Sequence, residues 1–188
     1  MPTCRSFIAI TLPEEVKSSI NQAVRQWRSL ADQVKWVPPA QYHLTLAFLG
    51  EVSQEQLPII AEATAAQLVG LPPFIIEING FGAFPSRNRA RVLWLGISKG
   101  TDLLQEAYRC VWSALVPLGF SADRSFQPHL TIGRVKTSLG NLVLSDVPAA
   151  LNEVRASFTV RQIELFKTEL FPSGPKYTQL HVMPLLGN

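Results

Sequence analysis

Tyr42-His43-Leu44-Thr45-Leu46-Ala47 and Pro128-His129-Leu130-Thr131-Ile132-Gly133 lie 86 positions apart, and each holds His-Leu-Thr followed by a branched apolar residue. Apolar and polar residues alternate across each stretch, the period of a strand with one face in a core. His and Thr therefore share the other face, about 6–7 Å apart, and an imidazole and a hydroxyl can reach one small polar group. Two copies brought together supply two imidazoles and two hydroxyls around a single centre. Imidazole, with an unperturbed pKa of about 6.5, serves near neutral pH as proton acceptor or donor. One ring can take a proton from water while the other gives one to a leaving oxygen. Hydrolysis of a phosphate diester needs that division of labour and donors for the non-bridging oxygens, which the hydroxyls of Thr45 and Thr131 are placed to provide.

Other uses of these residue types fit less well. Catalytic zinc takes three protein ligands and structural zinc four; neither stretch carries Asp, Glu or a second His beside its histidine, so no metal site is expected. Gly-x-Ser-x-Gly is absent and no acid is tied to either histidine, which argues against a Ser-His-Asp arrangement. His181, in Gln179-Leu180-His181-Val182-Met183, has no Thr two positions later and reads as a structural or surface residue. Arg134, five positions after His129, is a candidate anion-binding side chain. On a regular strand that offset is the opposite face, so a bend beyond Gly133 has to bring it round. Phe48 has the same offset from His43 and either packs in the core or stacks on a base. Arg87, Arg89 and Arg124 lie in polar stretches from which they could steer phosphates.

The elements that must position these groups read as a repeated α+β pattern. Arg5 to Leu12 is a β-forming apolar run stopped by Pro13-Glu14-Glu15, which suits the first turn of a helix. Val16, Ile20, Ala23 or Val24, Trp27 and Leu30 then form one helical stripe from Glu14 to about Ala31. A short strand at Lys35–Val37 and the first His-x-Thr strand, Tyr42 to Leu49, follow. Gly50 to Ser53 reads as a turn, with Ser53 a candidate cap for a helix over Gln54 to Val69 whose start Pro58 can shift. Phe74 to Asn79 reads as a strand, the stretch holding Gly80, Gly82, Pro85, Arg87 and Arg89 as a loop, and Ala90 to Ser98 as a strand. Thr101 to Leu118 is a second helical stripe, capped by Thr101 or Asp102 and ended by Gly119. After the second His-x-Thr strand, Gly140 to Pro148 reads as a connection. Ser157 to Leu165 and Thr178 to Leu185 read as paired strands around a loop at Phe171–Pro175. Phe7 to His43 and Leu93 to His129 both span 36 positions, which points to a duplication. Two pseudo-symmetric lobes, each an antiparallel sheet flanked by helices, would face each other across a central cleft floored by the motif strands.

The totals agree with such a chain. Its 188 residues, 47% of them hydrophobic, suffice for one two-lobed domain over 1–188. Seventeen Lys and Arg against 14 Asp and Glu leave a net charge of +3, which tolerates an anionic substrate but lacks the basic stripe of a non-specific duplex binder. Cys4 and Cys110 stand alone, the usage of a reducing compartment. There is no secretory leader pattern and no apolar run of about 18 residues. A cytoplasmic protein without membrane insertion is expected.

Taken together, SFIAITLPEEV, VKWVPPAQYHLTLAFLGEV, PPFIIEINGFGAFPS with RVLWLGIS, GF…SFQPHLTIGRVK and LFKTELFPSGPKYTQL resemble, in order and spacing, the bacterial and archaeal RNA 2',3'-cyclic phosphodiesterases, also called 2'-5' RNA ligases, of the 2H phosphoesterase superfamily. The resemblance implies a two-lobed enzyme without metal or other cofactor, and a monomer is expected. It opens a terminal 2',3'-cyclic phosphate of RNA, such as a tRNA fragment, to a 2'-phosphate, and microscopic reversibility lets the same cleft work in reverse as a ligase. It assigns catalysis to His43 and His129 and phosphate binding to Thr45 and Thr131, and Arg134 matches a frequent basic position. Ala47 departs from a frequent Lys, and Thr168 stands where many relatives have Ser. In the expected scheme His129 takes the proton from water and His43 protonates the 3' oxygen, roles that near-symmetry makes exchangeable. A non-catalytic RNA-end binding module and a cyclic phosphodiesterase of small nucleotides are the competing readings.

Overall fold

A computed structural model describes residues 2–26, 33–122, 126–136, 154–172 and 174–187. Nine strands form two antiparallel sheets among them. The first is four-stranded, with β1 (Thr3–Thr11) between β3 (His43–Ser53) and β8 (Gln162–Phe171), and β9 (Gly174–Pro184) at its edge. The second is five-stranded, in the order β2 (Val34–Trp36), β6 (His129–Val135), β5 (Val92–Lys99), β4 (Phe74–Phe84), β7 (Arg155–Val160). One apolar core joins the two. Ile8, Ile10, Leu44 and Leu165 from the first sheet and Ile76, Leu93, Leu95, Leu130 and Ile132 from the second are buried in it with the stripes of three helices. Those helices are α1 (Glu14–Arg25), α2 (Gln56–Leu68) and α3 (Thr101–Leu115). The motif side chains occupy the other faces of the sheets.

The duplicated pattern is visible in the pairings. β3 lies on β1 as β6 lies on β5, and α1 and α3 stand at corresponding places in the chain. The two sheets are also tied covalently beside the motifs. β2 pairs with β6, Val37 donates its N–H to the Ile132 carbonyl, and the chain then crosses through a 3-10 turn at Pro39–Gln41 into β3. A second crossing is at Arg161, where the run SFTVRQIEL divides between β7 of one sheet and β8 of the other; the expected single strand is two. Trp112 of α3 donates its indole N–H to the Leu46 carbonyl, which fixes α3 on β3.

Several boundaries differ from expectation for local reasons. The strand β3 runs on through the expected turn because Gly50, at φ 70°, and the residues after it keep pairing with Ser6 to Thr3. Ser53 consequently ends a strand, its hydroxyl donating to the Gln56 side chain, and α2 begins two residues late. Gly100, at φ 77°, occupies the cap position of α3, with no side-chain cap from Thr101 or Asp102. The register equates Phe7, opposite Phe48, with Val92, opposite Arg134. The equal 36-residue spans are thus off by one: Leu93 points into the core while Phe7 points to the motif face. Trp27, Leu30 and Gly140 to Pro148 lie outside the described residues.

Of the expected loop, Gly80 and Gly82 belong to β4, while Pro85 and the 3-10 turn Arg87–Arg89 lie outside any strand, and Gly82 has a specific purpose. Trp94 lies across it, and a Cβ at that position would stand 2.2 Å from the indole ring. Trp94 in turn lines up with Thr131 on the motif face. Gly82→Ala is therefore expected to lose about 1–3 kcal/mol of stability by overpacking, with a shift in tryptophan emission, read by urea unfolding followed in fluorescence. An unchanged midpoint would mean that the ring moves aside freely.

Candidate active site

Both histidines are oriented by the same short-range device. Nδ1 of His43 lies 2.7 Å from the carbonyl oxygen of Gln41, and Nδ1 of His129 lies 2.7 Å from that of Gln127. A carbonyl only accepts, so each Nδ1 carries the proton and donates it. The Nε2 of each neutral ring is then left with its lone pair. Aromatic neighbours hold the rings in place: Phe7 and Tyr177 lie 4.9 and 5.4 Å from His43 by ring centroids, and Phe84 lies edge-on to His129 at 5.0 Å. Gln41 is itself pinned, its side-chain amide donating to the Pro175 carbonyl on β9 at 2.6 Å.

The five-residue offset of Arg134 and Phe48 is resolved by a bulge in each motif strand. Along β6, Thr131 pairs with Trp94 but Gly133 with Leu93, so Ile132 is an extra residue; along β3, Thr45 pairs with Ala9 but Ala47 with Ile8, so Leu46 is extra. Each extra residue reverses the alternation. The burial pattern shows it, with Leu46 and Ala47, and likewise Ile132 and Gly133, buried in succession. Arg134 and Phe48 thereby return to the histidine face. The break falls before Gly133, earlier than the expected bend. Phe48 is 74% exposed, so it is a surface aromatic and not a core residue. Ala47 is buried in its bulge, away from that face.

Charge ties the two sheets into one site. Burial holds His43 below the ordinary imidazole value, by stripping water from the charged ring. The Gln41 carbonyl acts in the opposite direction, and the Arg134 guanidinium and the His129 ring lower it further. A cation on β6 and the other motif's imidazole are therefore close enough to His43 to act on it, as the packing of β3 against β6 requires. Tyr177 lies in the same field: burial raises its hydroxyl and Arg134 lowers it. Thr45 and Thr131 are half-buried and share their histidines' faces.

Two residues of this face escape a reading of the sequence. Glu164 is 2% exposed and accepts hydrogen bonds from the Thr11 amide and hydroxyl and from Gln162. It thereby clamps the end of β1 where Thr11 pairs with His43. An acid inside the apolar run QIELF was the available signal. Tyr177 carried none beyond its place in the tail. His181 pairs with Leu165 and points to the opposite face of its sheet. Arg87 donates to the Phe81 carbonyl and lies over the Phe81 ring, so it is engaged locally; Arg89 is exposed and Arg124 lies outside the described residues. Among the described residues no three His, Cys, Asp or Glu converge in a way that could hold a metal ion, and no helix is long and apolar enough to cross a membrane. The two cysteines are unpaired.

The LigT-like phosphoesterase family model matches twice in tandem, over residues 10–94 and 95–177. The chain is 34% identical over 182 residues to an RNA 2',3'-cyclic phosphodiesterase of Methanothermobacter thermautotrophicus, covering 96% of this chain and 98% of that protein. It is 35% identical over 179 residues to one of Thermotoga maritima, covering 94% and 93%. Among solved structures it is similar to Escherichia coli LigT complexed with 3'-AMP, with a TM-score of 0.78 and 28% identity over 98% of this chain and 99% of that one. It is likewise similar to TT0787 of Thermus thermophilus, with a TM-score of 0.80 and 29% identity over 97% and 98%.

The field at His43 is directly measurable. An NMR titration is expected to give its imidazole a pKa below the ordinary range, and Arg134→Gln is expected to raise it, because removing a nearby cation favours the charged ring. A value indifferent to that substitution would separate the two side chains.

Proposed function

Because the chain belongs to the LigT-like phosphoesterase family, we propose that it hydrolyses the 2',3'-cyclic phosphate ends of RNA to 2'-phosphates by general acid–base catalysis between His43 and His129. The observation that carries this reading is the pair of Nδ1–carbonyl bonds, which leave two Nε2 atoms for proton transfer on facing motif strands. A cyclic phosphate between them would be attacked by water on one side and lose its 3' oxygen on the other. The water O–P bond forms as the P–O3' bond breaks. The proton from water passes to Nε2 of His129, and protonated His43 delivers one to O3'. A lowered pKa makes the His43 imidazolium a stronger acid than an ordinary imidazolium, and bound phosphate, as an anion, offsets part of that lowering.

The remaining groups fit the charge that develops. Thr45 and Thr131 donate to the non-bridging oxygens, Arg134 adds positive charge, and exposed Phe48 offers a stacking face for the terminal base. The step needs no metal. Run backwards, with an RNA 5'-hydroxyl in place of water, the same groups join ends through a 2'-5' linkage. Cyclic ends of tRNA fragments and small cyclic nucleotides both present the reacting group.

An RNA ending in a 2',3'-cyclic phosphate, incubated with the protein in EDTA, is expected to yield the 2'-phosphate. His43→Ala and His129→Ala are each expected to lower turnover by about 10²–10⁴-fold while keeping the native circular dichroism. Binding of the RNA end without product would replace the reading with a binding module, and activity lost only to EDTA would remove the metal-free step. A substrate with sulfur at the 3' bridging position separates the two imidazoles, since a thiolate leaves without an acid. It is expected to restore much of the activity of His43→Ala and little of that of His129→Ala; the reverse result would exchange the roles.

A further inference from the structure

The motif face of the five-stranded sheet continues past the catalytic rows. Residues directly opposite on neighbouring antiparallel strands point to the same side. One row is His129 with Gly96, and the next is Thr131 with Trp94 and Gly82. The third holds Lys35, Arg134, Val92 and Phe84 across β2, β6, β5 and β4. Lys35 and Arg134 are thus immediate cross-strand neighbours, with Cβ atoms about 4.5–5.5 Å apart, at the edge of the sheet, and both are exposed. Like charges so placed repel. The ion pairs formed among the described residues, Lys17–Glu14, Lys99–Glu77, Arg109–Glu106 and Lys167–Glu169, involve neither. Two adjacent cations that no described acid neutralises, in line with two imidazoles, are a site for an anion.

The geometry points to a second phosphate subsite, formed by Lys35 and Arg134 side by side on β2 and β6, that takes a backbone phosphodiester of the RNA strand leading to the cyclic end. It rests on the reading of the catalytic centre given above. The row lies roughly 13–16 Å along β6 from His129, at about 3.3 Å per residue, and Arg134 reaches back far enough to act on His43. Lys35 stands on the outer side of Arg134. A bound phosphodiester relieves the repulsion between the cations and releases counterions from the strand. A nucleoside 2',3'-cyclic phosphate, with no backbone phosphate, makes no use of Lys35. The subsite thus favours polymer ends over free cyclic nucleotides.

The test compares a tetranucleotide and a mononucleotide, each ending in a 2',3'-cyclic phosphate, as substrates of the full chain. Lys35→Ala is expected to cut the ratio of their kcat/KM values about tenfold, the loss of one charge-assisted contact, mostly through KM. Lys35→Glu is expected to cut it further and Lys35→Arg to restore it. The slope of log kcat/KM against log salt for the tetranucleotide is expected to flatten by about 0.7 in Lys35→Ala. Thermal stability is expected to stay level or rise, since the substitution removes a like-charge contact. A ratio and slope unchanged in both Lys35→Ala and Lys35→Glu would overturn the subsite. If the unaltered protein hydrolyses neither substrate, the catalytic reading fails, and anisotropy of the labelled tetranucleotide with the same variants and salts still decides the subsite: undiminished binding would overturn it, and weaker, less salt-dependent binding would support it.

Discussion

One extra residue directly after the motif threonine of each strand governs what this face of the molecule presents. A regular strand would direct His43 and Thr45 outward and turn Phe48 into the core; Leu46, unpaired across from β1, reverses the alternation so that Phe48 emerges beside them. Ile132 does the same for Arg134 beside His129 and Thr131. The bulge is possible because two consecutive residues, Leu46 with Ala47 and Ile132 with Gly133, are small or apolar enough to be buried in succession. Gly133 shows how tight this is, since a Cβ there would stand 2.8 Å from Val34. The site therefore depends on apolar packing behind the sheet as much as on the polar residues in front of it.

Orientation of the imidazoles is cheaper still in sequence terms. The acceptor in each case is the backbone carbonyl two residues earlier, which any residue type supplies. What the sequence must specify is the extended entry into the strand, and Pro38-Pro39 with the 3-10 turn before β3, and Pro128 before β6, specify it. The aromatic rings around each histidine then restrict rotation. The two histidines are not equivalent in surroundings, because Gln41 is anchored to β9 while Gln127 is exposed.

The strand faces, the helical stripes and the four His and Thr side chains are legible in the sequence because each rests on a period of 2 or 3.6 that burial enforces. The duplication is legible through its motifs alone. Its register is off by one residue, since a bulge adds a position without altering the apolar pattern enough to be counted. The continuation of β4 through Gly80 and Gly82 is hidden for another reason: Gly82 accommodates the Trp94 ring from the adjoining strand, a contact between residues 12 positions apart that composition cannot express. Glu164 and Tyr177 are invisible as site residues because their relevance comes from a sheet assembled from the two ends of the chain.

Duplication made two similar halves, and the pairings show how they diverged. Position for position, Phe48, Phe7 and Phe166 on the first sheet correspond to Arg134, Val92 and Phe84 on the second. Ala9 and Glu164 correspond to Trp94 and Gly82. The motif rows kept their His and Thr while the outer rows took opposite characters. One is an aromatic wall, with Phe7 stacked on Phe166 at 5.2 Å and Phe48 exposed beside them. The other bears cations. A symmetric cleft would accept a strand of RNA in either direction. An aromatic wall on one side and charge on the other suit a base and a phosphate respectively, and under the proposed function this asymmetry would give an RNA end held between the two histidines a direction.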